Sequence, residues 1–123
     1  MNILITGIAG FIGSHVGEHF IKAGHNIIGI DNFDDFYPLE FKELNLTKLN
    51  QSKQFHFYKA DIRDSKTLNK IFSSAKVEVV VHLAAKAGVR PSIDSIAEYY
   101  DVNVNGTVSL LESMRKHGVK KML

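Results

Sequence analysis

Apolar and polar positions in this chain alternate between two periods. Five short apolar, β-branched runs recur, at Asn2–Thr6, Asn26–Ile30, Phe55–Tyr58, Val77–Leu83 and, as a stub, Val119–Leu123. The fourth run is nearly continuous, as expected of a strand covered on both faces. Between the runs the spacing is helical. Phe11, Ile12, Val16 and Phe20 make one stripe, Leu39, Leu44, Leu46 and Leu49 a weaker one, and Leu68, Ile71 and Phe72 a short one. Val104, Val108, Leu111 and Met114 predict a long helix over Ser92–His117. Strands alternating with helices read as βαβ units around a parallel sheet.

The punctuation agrees. Gly24 and Gly118 stand where helices end, Pro38 suits the opening of the second helical segment, and Asp64 or Ser65 suits a cap. Ser92 is expected to cap the helix after Pro91. Asp31–Phe41 is the least regular segment, a loop of aromatic and acidic residues.

Composition narrows the class. The chain has 123 residues, 45 % apolar and 23 % charged, enough for one domain with a real core. Fifteen basic and thirteen acidic residues leave a net charge of +2, with no clustered basic face for nucleic acid. No apolar run approaches the ~20 residues of a membrane span. The N-terminus lacks the basic region and cleavage site of a signal peptide, so a cytoplasmic protein is expected. The absence of cysteine excludes a disulfide scaffold and thiolate metal sites.

The candidate chemistry lies in Thr6-Gly7-Ile8-Ala9-Gly10-Phe11-Ile12-Gly13, a G-x-x-G-x-x-G turn that follows a strand and opens a helix. In that setting Gly7 permits the tight turn, Gly10 lets backbone approach a pyrophosphate, and Gly13 removes a Cβ where elements meet. Amide N–H groups around Phe11 and Ile12 would face the phosphates. Asp31 closes the second strand, where a carboxylate accepts from the adenosine ribose hydroxyls and repels a 2′-phosphate. No Arg or Lys follows within Asn32–Phe36, which favours NAD over NADP.

These residues resemble the extended short-chain dehydrogenase/reductase family, within it the nucleotide-sugar epimerases and dehydratases. The likeness rests on ITGIAGFIGSH (5–15), DNFDDFY (31–37), ADIRD (60–64), VVHLAAKAGVRPSI (80–93) and NVNGT (103–107), and runs through the whole chain. Among its branches, UDP-glucuronate 4-epimerases are nearest, with UDP-glucose 4-epimerases and UDP-glucuronate decarboxylases as neighbours. The resemblance implies a Rossmann-like, doubly wound parallel sheet of order 3-2-1-4-5, cut short in the fifth strand. It implies NAD as cofactor and a UDP-sugar as substrate of the full-length parent, epimerised through transient oxidation at C4. Gly7, Gly10, Phe11, Ile12 and Gly13 would hold the pyrophosphate, Asp31 and Asn32 the adenosine ribose, and Asp61 and Ile62 the adenine. Leu83, Ala84, Ala85 and Lys86 would pass the nicotinamide, Asn103 would approach the cofactor pocket, and Arg90 would face the sugar nucleotide. Lys86 departs from the pattern, since glutamine is common there in the glucuronate epimerases. Family dimers pair through helices, which makes Ser92–His117 a candidate surface for a homodimer.

The family reaction uses a Tyr-x-x-x-Lys pair as its acid–base machinery. Four residues beyond Tyr37, Tyr58, Tyr99 and Tyr100 stand Phe41, Ile62, Asn103 and Val104, so no pair and no catalytic residue is assigned. The expectation is the NAD-binding N-terminal part of a longer enzyme, inactive alone. A non-catalytic dinucleotide-binding or redox-sensing module is the other class the residues allow. His15-Val16-Gly17-Glu18-His19 matches H-x-x-E-H, but its helix packs on the sheet without a third ligand, so no metal is expected. His82, within an apolar strand, reads as a satisfied core histidine. Phe33, Phe36, Tyr37 and Phe41 read as loop packing or as a lid beside adenosine.

Overall fold

The computed structural model describes residues 1–123. Four parallel strands, β1 (Asn2–Thr6), β2 (Asn26–Asp31), β3 (Phe55–Lys59) and β4 (Val79–His82), lie in the order β3-β2-β1-β4. The register pairs Ile5 with Gly29 and with Val81, so the carboxyl ends of β1, β2 and β4 finish along one edge of the sheet. The fifth apolar run lies beside β4, in the predicted place. It is joined by a single parallel bridge, Val80 to Met122, with the Leu123 amide donating to Val80 O at 3.0 Å. β4 begins at Val79, two residues later than its apolar run; just before it, Glu78 accepts from the Asn2 amide at 2.6 Å through its side chain and donates its own amide to Asn2 O at 2.9 Å.

Six α-helices connect the strands: α1 (Phe11–Lys22), α2 (Leu39–Leu46), α3 (Ser65–Ala75), α4 (Val89–Asp94), α5 (Ile96–Tyr100) and α6 (Thr107–Lys116). A 3₁₀ turn covers Leu49–Gln51 and a π-helical segment covers Asp101–Gly106. Strand alternation sends Ile3, Ile5, Ile27 and Val81 to one face, where Ile8, Leu46, Leu49 and Phe55 join them. Leu4, Ile28, Ile30 and Val80 point to the other, against Leu68, Ile71, Phe72, Leu110 and Met114. Both faces are dry, which is why these strands are apolar almost throughout. Each fully buried Ile or Leu contributes about 2 kcal/mol relative to exposure.

The caps follow the sequence with one exception. Asp64 accepts from the Lys66 and Thr67 amides and starts α3. α1 ends in a Schellman arrangement, in which His25 N–H donates to Phe20 O and Gly24 N–H to Ile21 O. Val119 and Gly118 repeat it on Met114 and Arg115 at the end of α6. Pro38 immediately precedes α2. Ser92 is not a cap: it lies inside α4 and its hydroxyl donates to Val89 O.

The single long helix expected over Ser92–His117 is three helices and a π segment. The chain breaks at Ser95, whose φ of −129° and ψ of 44° leave the helical region. Of the stripe read from Val104, Val108, Leu111 and Met114, the first three face outward and only Met114 is inside, with Leu110 and Ser113 the other buried positions of α6. Apolar residues occur on two sides of this stretch, and the period alone does not choose between them.

Candidate functional site

At the carboxyl edge of the sheet a cleft of about 370 Å³ opens between the glycine turn, the end of β2 and the segment after β4. The turn forms as its glycines dictate. Gly7 has φ +71°, and its amide and that of Ile8 both donate to Ile30 O. A Cβ on Gly7 would lie 2.9 Å from the backbone of Leu83 and Ala84, and one on Gly13 would fall on Gly7 O. Both positions therefore exclude any side chain. α1 starts after Gly10 with no side-chain cap and no acidic residue in its first turn. The amides of Phe11, Ile12 and Gly13 donate to no backbone carbonyl, so this positive helix end faces the cleft with free donors.

Asp31 is buried at the end of β2. Its Oδ2 accepts from the Ala9 amide at 3.1 Å, and its Oδ1 accepts from the Phe33 amide at 2.9 Å and from Lys42 Nζ at 3.2 Å. Asn32 Nδ2 donates to Asp61 Oδ2 at 3.1 Å. Arg63 fills the rest of Asp61, its Nε and amide donating to Oδ1 and its Nη2 to Oδ2. Four donors thus occupy the carboxylate, and the hydrogen bonds from Arg63 hold its pKa far below the usual range. Arg63 also reaches Asp101 at 2.9 Å, which ties this corner to the π segment.

On the far side, Leu83, Ala84, Ala85 and Lys86 line the cleft. Lys86 Nζ pairs with Glu98 and lies 3.5 Å from Asp34, contacts that raise its pKa, the hydrogen bond to Glu98 most. The segment expected as a loop over Asp31–Phe41 is a loop only over residues 32–38, between β2 and α2, and is built from side-chain-to-backbone bonds, Asp31 to Phe33, Asn32 to Asp34 and Asp34 to Phe36. Its aromatic residues divide. Phe33 stacks on Phe57 against the core, Phe36 and Tyr37 line the cleft, and Phe41 points to solvent.

Of the sequence-assigned residues, Gly7, Gly10, Phe11, Ile12, Gly13, Asp31, Asn32, Asp61, Ile62 and 83–86 meet at this cleft. Asn103 does not line it. Its Oδ1 accepts from the Lys86 amide at 2.8 Å and its Nδ2 donates to Lys86 O at 3.1 Å, so it clamps a lining residue instead. Arg90 is exposed on α4, outside the lining. His15 is bonded to Phe11 O, and Glu18 faces Lys48 at 3.7 Å. Sequence reading missed Lys42, which α2 returns to Asp31 from eleven positions away, and Arg63, which sits within the quoted ADIRD segment. No helix is long and apolar enough to cross a membrane.

A doubly wound parallel sheet with a glycine turn at its first strand–helix junction and a cleft at the strands' carboxyl ends is a Rossmann-like domain. The chain belongs to the family described as GDP-mannose 4,6 dehydratase, which matches residues 4–123. It is 44 % identical over 120 residues to a UDP-glucuronate 4-epimerase of Thermodesulfobacterium geofontis, covering 98 % of this chain and 37 % of that protein. The UDP-glucuronic acid 4-epimerase of Bacillus cereus, solved with UDP-glucuronic acid and NAD, superposes with a TM-score of 0.87 at 36 % identity, over 98 % of this chain and 38 % of that one. The UDP-glucose 4-epimerase of Thermotoga maritima, solved with UDP-glucose, superposes with a TM-score of 0.85 at 39 % identity, over 99 % and 36 %. The chain thus spans little more than a third of the length of these relatives.

Proposed function

We propose that this chain is the NAD-binding part of a nucleotide-sugar 4-epimerase that acts on a UDP-hexose or UDP-hexuronate. One observation carries the reading: the buried Asp31 carboxylate and the free amides at the start of α1 face the same cleft. A dinucleotide presents ribose hydroxyls and a pyrophosphate at matching positions. Gly7 and Gly13 keep the turn in the shape that aims these amides at the cleft, since a Cβ at either would meet backbone.

Within the turn that Gly7 and Gly10 shape, the free amides of Phe11, Ile12 and Gly13 hold the pyrophosphate, without any cationic side chain. Asp31 takes the ribose hydroxyls and disfavours a 2′-phosphate. Lys42 and two amides already use most of the Asp31 oxygens, so a ribose hydroxyl shares or replaces the Lys42 contact. Ile62 covers the adenine. Asn32 holds Asp61 at 3.1 Å, the longest of its four bonds, and is the donor an adenine amine would replace. Asn32 is then free for the ribose. Leu83, Ala84 and Ala85 leave room beside the strand end for the nicotinamide, and Arg90 meets the sugar nucleotide. Bound NAD would supply a hydride acceptor and donor for the sugar C4 position. No tyrosine here has a lysine four residues on, so proton transfer at the sugar hydroxyl is assigned outside residues 1–123 and the chain binds without turnover.

Addition of NAD to the ¹⁵N-labelled chain is expected to shift the amides of Phe11, Ile12, Gly13 and Asp31, while UDP-glucose and UDP-glucuronate stay unepimerised. A folded chain whose amides ignore NAD, or one that epimerises either sugar nucleotide, overturns the reading.

A further inference from the structure

His82 stands between two hydroxyls at the end of β4. Its Nδ1 lies 2.7 Å from Thr6 Oγ1 and its Nε2 lies 2.9 Å from Thr107 Oγ1. The proton positions follow from the outer partners. Thr6 Oγ1 receives the Ala84 amide at 3.1 Å and a share of the Leu83 amide, also at 3.1 Å, which Leu83 divides with Thr6 O at 3.2 Å, so both hydroxyl lone pairs are engaged. Its own hydrogen is therefore the one that points at Nδ1, and Nδ1 accepts. On the other side, Thr107 Oγ1 donates to Asn103 O at 2.7 Å, because a carbonyl only accepts. Thr107 then receives from Nε2, which carries the ring hydrogen. The two ends are assigned independently and agree on a single neutral tautomer.

The result is one directional chain of hydrogen bonds, from the Leu83 and Ala84 amides through Thr6, His82 and Thr107 to Asn103. Asn103 closes it by clamping both backbone groups of Lys86. The stretch 83–86 is held at its first residues by Thr6 and at its last by Asn103, and His82 joins the two holds. Its half-buried ring has no charged side chain bonded to it, and burial alone acts on its proton, lowering the pKa. A second proton at Nδ1 would face a hydroxyl with no lone pair to offer.

We infer that His82 is a positioning residue: as the neutral Nε2–H tautomer it locks the segment 83–86 that lines the cleft, and with it the nicotinamide end of the proposed cofactor site. The link to the cofactor rests on the function proposed above, but the lock itself does not. The Thr107 hydroxyl reaches the carbonyl four residues back, a bond that regular helices also make, and the π segment carries the Asn103 side chain that meets Lys86.

The test uses the full chain and three readouts. Imidazole ¹⁵N shifts at neutral pH are expected to show Nε2 protonated and Nδ1 bare. Amide exchange at Leu83, Ala84 and Lys86 is expected to quicken about tenfold in Thr107→Val. Exchange at Leu4 and Ile28 stays unchanged, and Thr107→Ser restores protection. NAD affinity is expected to fall by a similar factor in Thr107→Val and to recover in Thr107→Ser. A histidine protonated on Nδ1, or exchange at 83–86 that ignores the valine, overturns the proposal. If Thr107→Val does not fold, the tautomer in the unaltered chain decides it. A chain that shows the tautomer and the exchange effect but takes no NAD refutes the cofactor reading and leaves the lock standing.

Discussion

Lys42 Nζ stands 3.2 Å from Asp31 Oδ1, and the two side chains retain only 10 % and 6 % of their surface. The acid at the end of β2 is therefore met by a cation from α2, within the cleft it is proposed to serve. Asp31 also keeps the Ala9 and Phe33 amides, so it fixes the glycine turn and the following loop as well as facing the cleft.

Removing the cation strands a buried carboxylate. Lys42→Ala is expected to cost about 3 kcal/mol, the lower part of the range for breaking a buried pair, because two amides still solvate Asp31. Adding Asp31→Asn to Lys42→Ala is expected to recover much of the loss. Denaturant unfolding of the four chains in a double-mutant cycle checks both figures.

Asp31→Asn alone acts on cofactor choice. It removes the repulsion toward a 2′-phosphate and leaves Lys42 without its counter-charge. NAD affinity is expected to fall about tenfold, the scale of one charged hydrogen bond, and the preference for NAD over NADP to narrow. Calorimetric titration with both dinucleotides measures this. An unchanged NAD affinity would refute the ribose assignment.

Two glycines separate strain from collision. Gly13→Ala puts a methyl group on Gly7 O and is expected to destabilise the chain by at least about 2 kcal/mol and to abolish dinucleotide binding. Gly24 has φ +84° with open space around it, so Gly24→Ala is expected to cost only about 1 kcal/mol and to leave binding intact. Thermal unfolding and NAD titration of the two variants should diverge accordingly.

The pairs and motifs legible in the sequence are those set by local rules. Strand periods, the Asp64 cap and the glycines that end α1 and α6 follow from short-range chemistry, whereas the order of the sheet came from the family resemblance. Lys42 was not legible, because α2 carries a weak apolar pattern and nothing local returns its side chain to β2. The π segment was hidden for a related reason: Val104, Val108 and Leu111 keep helical spacing with Met114 while facing solvent, and only the packed fold shows that Leu110 joins Met114 inside. Arg63 lay in a quoted motif, yet its grip on Asp61 depends on a loop conformation that no periodicity reports.

Asp61 gives the pH dependence. Its pKa is depressed in the folded chain by Arg63, so its ionised form stabilises the fold. That contribution is complete above the ordinary aspartate value of 3.8 and is lost as the pH falls below it toward the depressed value. Arg63→Gln is expected to return the Asp61 titration toward 3.8, seen by NMR. The stability gap between the two chains should be constant near neutrality and close in acid.

The central claim is that a dinucleotide with a free ribose 2′-hydroxyl occupies the cleft between the glycine turn and Asp31. Isothermal titration of the folded chain with NAD and, separately, NADP tests it most directly. The expected result is one NAD bound per chain, with NADP at least about tenfold weaker. A folded chain that binds neither dinucleotide, or that prefers NADP, would contradict it.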